Sequence, residues 1–560
     1  MTGTSGAWQR FKAWRARFPN LFWLLLAVGT GIRLYFAFLP LSVLLVLLED
    51  DAWMVTAIAR NFALGRGITA DGVNPTNGFH PLYPLTLGAI PYWIAPRALD
   101  GGFRANLVFC ALIGAAAAFP LYRWAGHLAG REGALLAASV YLLSPYFARV
   151  TVNAMETALG LLLFLILLER FTAPGERRFL STLGIGLLAG LAGLARLDNW
   201  LLAASLGLTL GWEAIRRRTR PAAFLAYTVG VAFLAVPYLA WNQAAFGSPM
   251  PSSGRALAYM HSYAEGFSLT NILHFLYLNP ALHLGFLPSP WLALAFGGLL
   301  LLGYFWLIPS QVRRSLLPVA GAVFAQLLYY AYLQQNSNPR YFVAAGACFA
   351  VYLGSVIGEV GKRQAAVGRV LGIALSLLAV VLNSAEAIGT YRAALRMPEL
   401  TQPTIYEAAL WIRRALPPDA VLAAKNSGIL QYYSDHEVLN IDGKLNADIV
   451  PVLERRHLLA YLRDKGVTYV VDRRAALEKH LALYSEEFGP WPAHSEIGLG
   501  QRLRIYIRLA LSRLGVGEPP ALDDPSGFRP ARALEDVLEP VQAFPRPNAP
   551  DDPVIVYRLR

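Results

Sequence analysis

Long apolar blocks separated by short polar breaks run from residue 20 to residue 389, and a mixed polar and apolar pattern follows from about residue 395. The blocks lie at 20–48, 103–122, 132–148, 157–170, 179–195, 199–215, 222–241, 290–308, 316–334, 341–359 and 367–389. Each is near the ~20 residues a helix needs to cross a ~30 Å hydrocarbon core. The pattern predicts a polytopic α-helical membrane protein of about 11 transmembrane helices. The first block is too long for one upright helix, because residues 20–48 at 1.5 Å per residue would reach ~43 Å. Either it tilts and protrudes, or it bends at Pro40, which would lift Glu49, Asp50 and Asp51 above the hydrocarbon. Arg33 would then lie in the outer half of the bilayer, where a charge faces the bundle or a cavity. Pairing with a neighbouring helix is favoured there over a substrate role. The apolar stretch Phe79 to Ala95 is broken by Pro81, Pro84 and Pro91, with Pro96 just beyond it, and is expected at the outer interface, not as a crossing.

After residue 395 the pattern becomes that of an α/β domain. Ile405 to Leu416 reads as an amphipathic helix, and Ala420 to Ala424 and Val467 to Val471 as short strands. A polar helix is expected between those strands, from Asp448 to Lys465. The tail after Gly515, rich in Pro and Asp, is expected to loop over this domain. The chain therefore divides into a basic N-terminus (1–19), a transmembrane catalytic domain (20–394) and an extracytoplasmic α/β domain (395–560). Two outer loops stand out within the second part: 49–102, with interfacial helices, and 242–289, too long for a simple connector.

Charge sets the orientation. Only 15% of the 560 residues are charged, against about 25% in soluble domains. The net charge of +13 is concentrated before the first block and in every second loop, which makes those loops cytoplasmic. It is therefore no footprint of nucleic acid. The first block is too long for a cleavable signal and has no small-residue cleavage site. Cys110 and Cys348 lie inside apolar runs, as thiols in the bundle. Walker A, GxGxxG, HExxH and CxxC motifs do not occur, so nucleotide-driven transport and zincin chemistry have no support.

The remaining loops bring ionisable residues to one outer face. Transfer of a group to an alcohol needs a base within reach of the hydroxyl proton, and Asp50 or Asp51 would serve. Adjacent carboxylates also raise one pKa or invite a divalent cation (Mg, Mn or Ca), with Asp50 and Asp51 as its ligands. Glu156 stands at the outer mouth of the fourth block, close to Asn153, either as a second functional acid or as an ordinary acid at a helix start. Arg196 and Asp198 occupy a tight outer turn, either as a structural pair or with the guanidinium binding phosphate. Arg340 offers a second cation, and His80 a donor to a phosphate or leaving oxygen. Glu437 to Lys444 reads as a strand running into a polar turn with Gly443, and Asp442 there would reach an acceptor if its domain folds back on the membrane face.

Several of these motifs resemble a family. Asp50-Asp51-Ala52, Asn74-Pro-Thr-Asn77-Gly-Phe-His80-Pro-Leu82, Met155-Glu156 and Ala195-Arg-Leu-Asp198 are similar to the GT-C glycosyltransferases. They look closest to the bacterial branch around the mycobacterial terminal arabinofuranosyltransferase AftB, over roughly residues 20–390. The resemblance implies a polyprenyl-phosphate-sugar donor and a catalytic acid pair, carried to Asp50 first with Asp51 as partner or metal ligand. It implies Glu156 as the second outer acid and Arg196 as the phosphate-binding cation, with His80 contacting phosphate or acceptor. Asn77, Asn153, Asp198 and Asp442 are the acceptor-side candidates. Glu49 makes the pair a triplet, which leaves both adjacent pairs open.

The function expected is transfer of a sugar, arabinofuranose among the candidates, from polyprenyl phosphate to a hydroxyl of a cell-envelope glycan, lipid or protein. The site would face outward from the bacterial cytoplasmic membrane. The competing expectations are a transporter or flippase of lipid-linked saccharide and a ligase using a lipid-diphosphate oligosaccharide. Transporters usually place ionisable residues near the midplane of broken helices, often with inverted repeats, and neither feature is evident in the sequence.

Overall fold

Pro40 interrupts the first apolar block. A computed structural model describes residues 15, 18–173, 178–264, 306, 308, 310–333, 339–364, 401–489, 532–547 and 549–560, with scattered positions between 366 and 392. Helix α1 (Asn20–Ala37) ends before Pro40, and α2 (Leu41–Leu47) begins after it. Proline cannot donate to the preceding turn. The carbonyls left over at Ala37 and Leu39 accept from Arg104 Nη1 at 2.7 and 3.2 Å. The acids that follow open α3 (Asp50–Ala63). The proline-broken stretch beyond becomes turns and the five-residue α4 (Ile90–Ile94), far too short to cross.

The bundle continues through α5 (Leu99–Ala116), α6 (Ala118–Leu143), α7 (Pro145–Thr151), α8 (Thr157–Thr172), α9 (Phe179–Ala195), α10 (Trp200–Ile215) and α11 (Pro221–Phe246). It resumes, after α12 (Ser252–Ala264), with α13 (Ser310–Leu333) and α14 (Val343–Arg363). Among the described residues, Asn20–Ala37, Leu99–Leu143, Pro221–Phe246 and Arg340–Arg363 are long and apolar enough to span a membrane. The break expected at 123–131 narrows to Gly130, whose non-helical backbone (φ 75°, ψ −175°) divides α6 into two helices that meet at a kink. Of the other expected spans, 290–308 falls outside the described residues except at two positions, and 367–389 is described only in part.

Small residues let these helices touch. A Cβ on Gly186 of α9 would lie 2.2 Å from the Tyr227 carbonyl oxygen of α11, and one on Gly230 2.5 Å from the Leu183 oxygen. Close backbone approach of this kind drives helix association where lipid removes the hydrophobic incentive. Arg33 is fully buried and donates to the carbonyls of Leu142 (3.0 Å), Tyr141 (3.2 Å) and Gly29 (3.1 Å). It joins α1 to the C-terminal end of α6, where the helix dipole favours a cation.

After α15 (Gln402–Ala415), the C-terminal part forms a five-stranded sheet in the order β2-β1-β3-β5-β4. Strand β1 (Val421–Ala424) is parallel to β2 (Glu437–Asn440) and to β3 (Tyr469–Arg473). The connections are α16 (Gly428–Tyr433) between β1 and β2, then α17 (Val450–Glu454) and α18 (Leu458–Asp464) before β3. Helix α19 (Arg474–Tyr484) follows β3. The single polar helix expected from 448 to 465 is thus two short ones; β2 falls where a strand running into a turn is expected, and α16 was not foreseen. The tail is also corrected. Its last residues do not loop over the domain but form β4 (Leu538–Arg546) and β5 (Ala549–Leu559), antiparallel to each other, with β5 also antiparallel to β3. The continuous β-branched and aromatic run Val554 to Tyr557 carried that signal; Pro540 and Pro545 obscured it, although proline is tolerated on an edge strand such as β4. Residues 515–531 lie outside the described residues.

The sheet part packs directly on the first outer loop. Ala52, Trp53, Tyr92 and Phe103 share one buried cluster with Ile405, Leu430, Tyr432 and Val471. Tyr92 and Tyr432 hydroxyls meet at 2.6 Å, and the Tyr433 hydroxyl donates to Asp100 at 2.9 Å.

Candidate active site

Helix α3 begins with Glu49 as its extended N-cap residue, so Asp50 and Asp51 occupy the first turn, where the helix dipole favours acids. The three carboxylates then diverge. Asp50 is buried, and its two oxygens accept the backbone N–H groups of Gly428 (2.8 Å) and Ile429 (3.0 Å) at the start of α16. Burial pushes its carboxyl up to about 6, against the lowering effect of those two N–H groups. Asp51 remains partly exposed and pairs with Arg340, with the Lys444 ammonium 3.9 Å away. Burial acts upward on Asp51 too, but Lys444 and Arg340 hold it well below the usual carboxylate range. Glu49 closes the group at 2.8 Å from Arg340.

A second cluster joins α8, the turn after α9 and the first loop. Arg196 lies with Nη2 2.6 Å and Nε 3.1 Å from the two oxygens of Asp198, and with Nη1 3.3 Å from Glu156. Gln326 of α13 donates to Asp198 at 2.8 Å. His80 Nδ1 accepts the Leu197 N–H at 3.0 Å, which leaves the proton of the neutral ring on Nε2, 3.7 Å from Glu156 Oε1. Burial lowers the His80 pKa and so favours that neutral form, although Glu156 pulls the other way. The clusters meet where Arg340 Nη1 contacts Met155 Sδ at 2.9 Å, one residue before Glu156.

The other expected residues divide. Asn77 is bonded to Asn242 (3.1 Å) and to the Ser252 N–H (3.0 Å), so it ties the first loop to α11 and α12. Asn153 bonds Thr157 and the Met155 N–H and shapes the turn into α8, in which Ala154 takes φ 54°. Asp442 is buried and reaches the site through Lys444, whose Nζ is 3.5 Å from its Oδ2. Lys444 and Gln326 were not foreseen as site residues. The signal for Gln326 was a single amide inside an apolar helix; Lys444 lay within the motif singled out for Asp442.

An open apolar groove of ≈ 830 Å³ lies between the first loop and α11, lined among others by Ile68, Pro81, Leu85, Leu194, Phe233 and Trp241. Two of its lining residues are chain neighbours of the second cluster: Pro81 directly follows His80, and Leu194 stands two residues before Arg196.

The acid triplet does not fit the divalent cation that the sequence admits. Asp50 has both oxygens on backbone N–H groups, and Glu49 and Asp51 are charge-paired with Arg340. Among the described residues no group of three or more His, Cys, Asp or Glu side chains converges.

Residues 95–241 match the family described as dolichyl-phosphate-mannose-protein mannosyltransferase, and residues 391–506 match a domain of unknown function. No curated protein matches the chain. The Archaeoglobus fulgidus oligosaccharyltransferase in complex with zinc and sulfate superposes with a TM-score of 0.55 at 14% identity, over 82% of this chain and 70% of that one. The same archaeal enzyme, AglB, with an inhibitory peptide and a dolichol-phosphate gives 0.52 at 14% identity, over 83% and 71%. ArnT from Cupriavidus metallidurans bound to undecaprenyl phosphate gives 0.53 at 14% identity, over 81% and 93%. At this identity the likeness is one of fold: the chain shares the polytopic helical membrane architecture of these proteins.

Proposed function

We propose that this protein is a membrane glycosyltransferase that takes a sugar from a polyprenyl-phosphate donor and adds it to a hydroxyl on the outer face of the membrane. The observation that carries this reading is an apolar groove whose lining includes Pro81 and Leu194, chain neighbours of His80 and Arg196, which pair with Glu156. An isoprenoid chain suits the groove, and its phosphate would end among N–H donors. The match to the mannosyltransferase family and the lipid phosphates bound by AglB and ArnT support the same donor class. On this reading residues 20–394 carry the catalytic half, residues 395–560 cover it from outside, and the membrane is the bacterial cytoplasmic membrane. Arabinofuranose is the first donor sugar to test, on the strength of the first-loop motifs; glycan, lipid and protein acceptors all offer the required hydroxyl.

In the reaction the acceptor oxygen forms a bond to the anomeric carbon while the bond from that carbon to the phosphate oxygen breaks. The hydroxyl proton passes to Asp51, and the electron pair of the broken bond stays on the lipid phosphate. Asp51, not Asp50, is the base, since its carboxylate is the partly exposed one. Its carboxylate is ionised and can take the proton late, once the hydroxyl has become acidic through bonding to the anomeric carbon. His80 Nε2–H and Arg196, held in place by Asp198 and Glu156, stabilise the departing phosphate, and Arg340 orients Asp51.

The test is transfer of labelled sugar from polyprenyl-phosphate donors by purified wild type, Asp51→Asn and Asp50→Asn. Asp51→Asn is expected to lose ~10²-fold or more, the usual contribution of a general base. Asp50→Asn should retain most turnover. Normal turnover in Asp51→Asn would remove it from the chemistry. Movement of lipid-linked sugar across vesicles by wild type, without transfer, would favour the flippase instead.

A further inference from the structure

Arg196, assigned above to the phosphate, is held between Asp198 and Glu156, and Arg340, which orients Asp51, is held between Asp51 and Glu49. Lys444 differs. Its ammonium sits near two carboxylates, 3.5 Å from Asp442 and 3.9 Å from Asp51, and among the described residues it donates no hydrogen bond. Its side chain is about one-third exposed, at 32%. The charges of Asp442 and Asp51 keep it protonated, its pKa raised despite burial.

Its position is fixed from three sides. The Ser252 hydroxyl donates to the Lys444 carbonyl at 2.9 Å, and Ser252 N–H donates to Asn77, which in turn bonds Asn242. Gly78 presses against that same carbonyl so closely that a Cβ there would lie 1.7 Å from the oxygen. The next residue, Leu445, packs with Met54, Ile58 and Phe79, and this cluster includes Ile68 and Leu85 of the groove wall. The Lys444 backbone is therefore held beside the groove wall by the first loop and α12, although it belongs to the C-terminal sheet part, and its ammonium lies by Asp51 of the candidate site.

We propose that Lys444 is a phosphate-binding residue of the site, so that the C-terminal part supplies a cation for the lipid phosphate. This rests on the lipid-phosphate donor reading and adds a residue that neither the sequence motifs nor the family match covering 95–241 would assign. Lysine serves as a mobile point charge for phosphate, where arginine tends to be fixed in bidentate pairs.

The experiment measures equilibrium binding of undecaprenyl phosphate and of undecaprenol to the full-length protein in detergent. Wild type is expected to prefer the phosphate by at least tenfold. Lys444→Ala should weaken phosphate binding about ten- to a hundredfold, the worth of a charge-assisted hydrogen bond, and leave the alcohol unchanged. Lys444→Arg should restore most of the preference. Gly78→Ala removes no charge but displaces the Lys444 carbonyl, and should lower the preference as well. An unchanged phosphate preference in Lys444→Ala would overturn the assignment, as would equal loss of both lipids, which marks a purely structural role. If wild type itself fails to distinguish phosphate from alcohol, the lipid-phosphate reading falls and this assignment with it.

Discussion

Asp50 and Asp51 are consecutive on one helix, so their side chains leave it ~100° apart and meet different neighbours. Asp50 turns into the C-terminal part and Asp51 toward Arg340 and Lys444. The acid triplet was plain in the sequence, but the division of labour within it was not, because it depends on Gly428 and Ile429, 378 and 379 residues away in the chain. The buried carboxyl has a consequence for stability. With its folded pKa at about 6 and its unfolded value near ~3.9, Asp50 binds a proton more readily in the folded protein. Stability is therefore highest below the unfolded pKa and falls as pH rises through the folded one, by on the order of 3 kcal/mol in total. Asp50→Asn stays neutral throughout, so its thermal midpoint should change less than that of wild type between pH 4.5 and 7. Melting curves in detergent at several pH values measure this, and parallel profiles for the two proteins would contradict it.

At the level of elements, the bundle is held by places where backbones touch. Gly186 and Gly230 bring α9 against α11, and α11 is also one wall of the groove. Gly230→Val would force the two helices apart, since the added Cβ alone would fall 2.5 Å from the Leu183 oxygen and 2.7 Å from the Leu187 nitrogen. Overpacking of this kind costs about 1–3 kcal/mol. The variant should melt earlier in detergent and bind undecaprenyl phosphate more weakly; an unaltered midpoint would mean that α11 can slide without loss. The apolar blocks announced these helices, but their ends followed local chemistry that hydrophobicity alone does not encode. Pro40 with Arg104 ends the first, and Gly130 with positive φ separates the two helices of α6.

For the whole molecule, the decisive contact is between the first outer loop and the C-terminal sheet. Asp50 at the start of α16, the Tyr92–Tyr432 hydroxyl pair and the cluster shared by Trp53 and Tyr432 hold the two parts on the same face. If that face is outward, a cysteine at exposed Ala543 in β4 should react with a membrane-impermeant maleimide in intact spheroplasts. A cysteine at Arg218, in a loop expected to be cytoplasmic, should react only after permeabilisation. The native thiols give little background, with Cys110 buried and Cys348 half-buried. Labelling of Arg218→Cys from outside would invert the topology.

The sequence by itself determined that the chain is a multi-pass membrane protein with acids, arginines and a histidine gathered in alternate loops. It could do so because membrane insertion and charge bias are local: each segment's transfer free energy depends on its own residues. It also marked Glu156, Arg196 and Asp198, and the fold lets Arg196 hydrogen-bond both acids. Only the tertiary structure decided that Asp50 is engaged by α16, that Arg340 joins the two clusters and that Lys444 enters the site from the C-terminal sheet. Those facts rest on which distant segments pack together, and that is settled by the shape and burial of whole elements, which no local stretch of sequence contains.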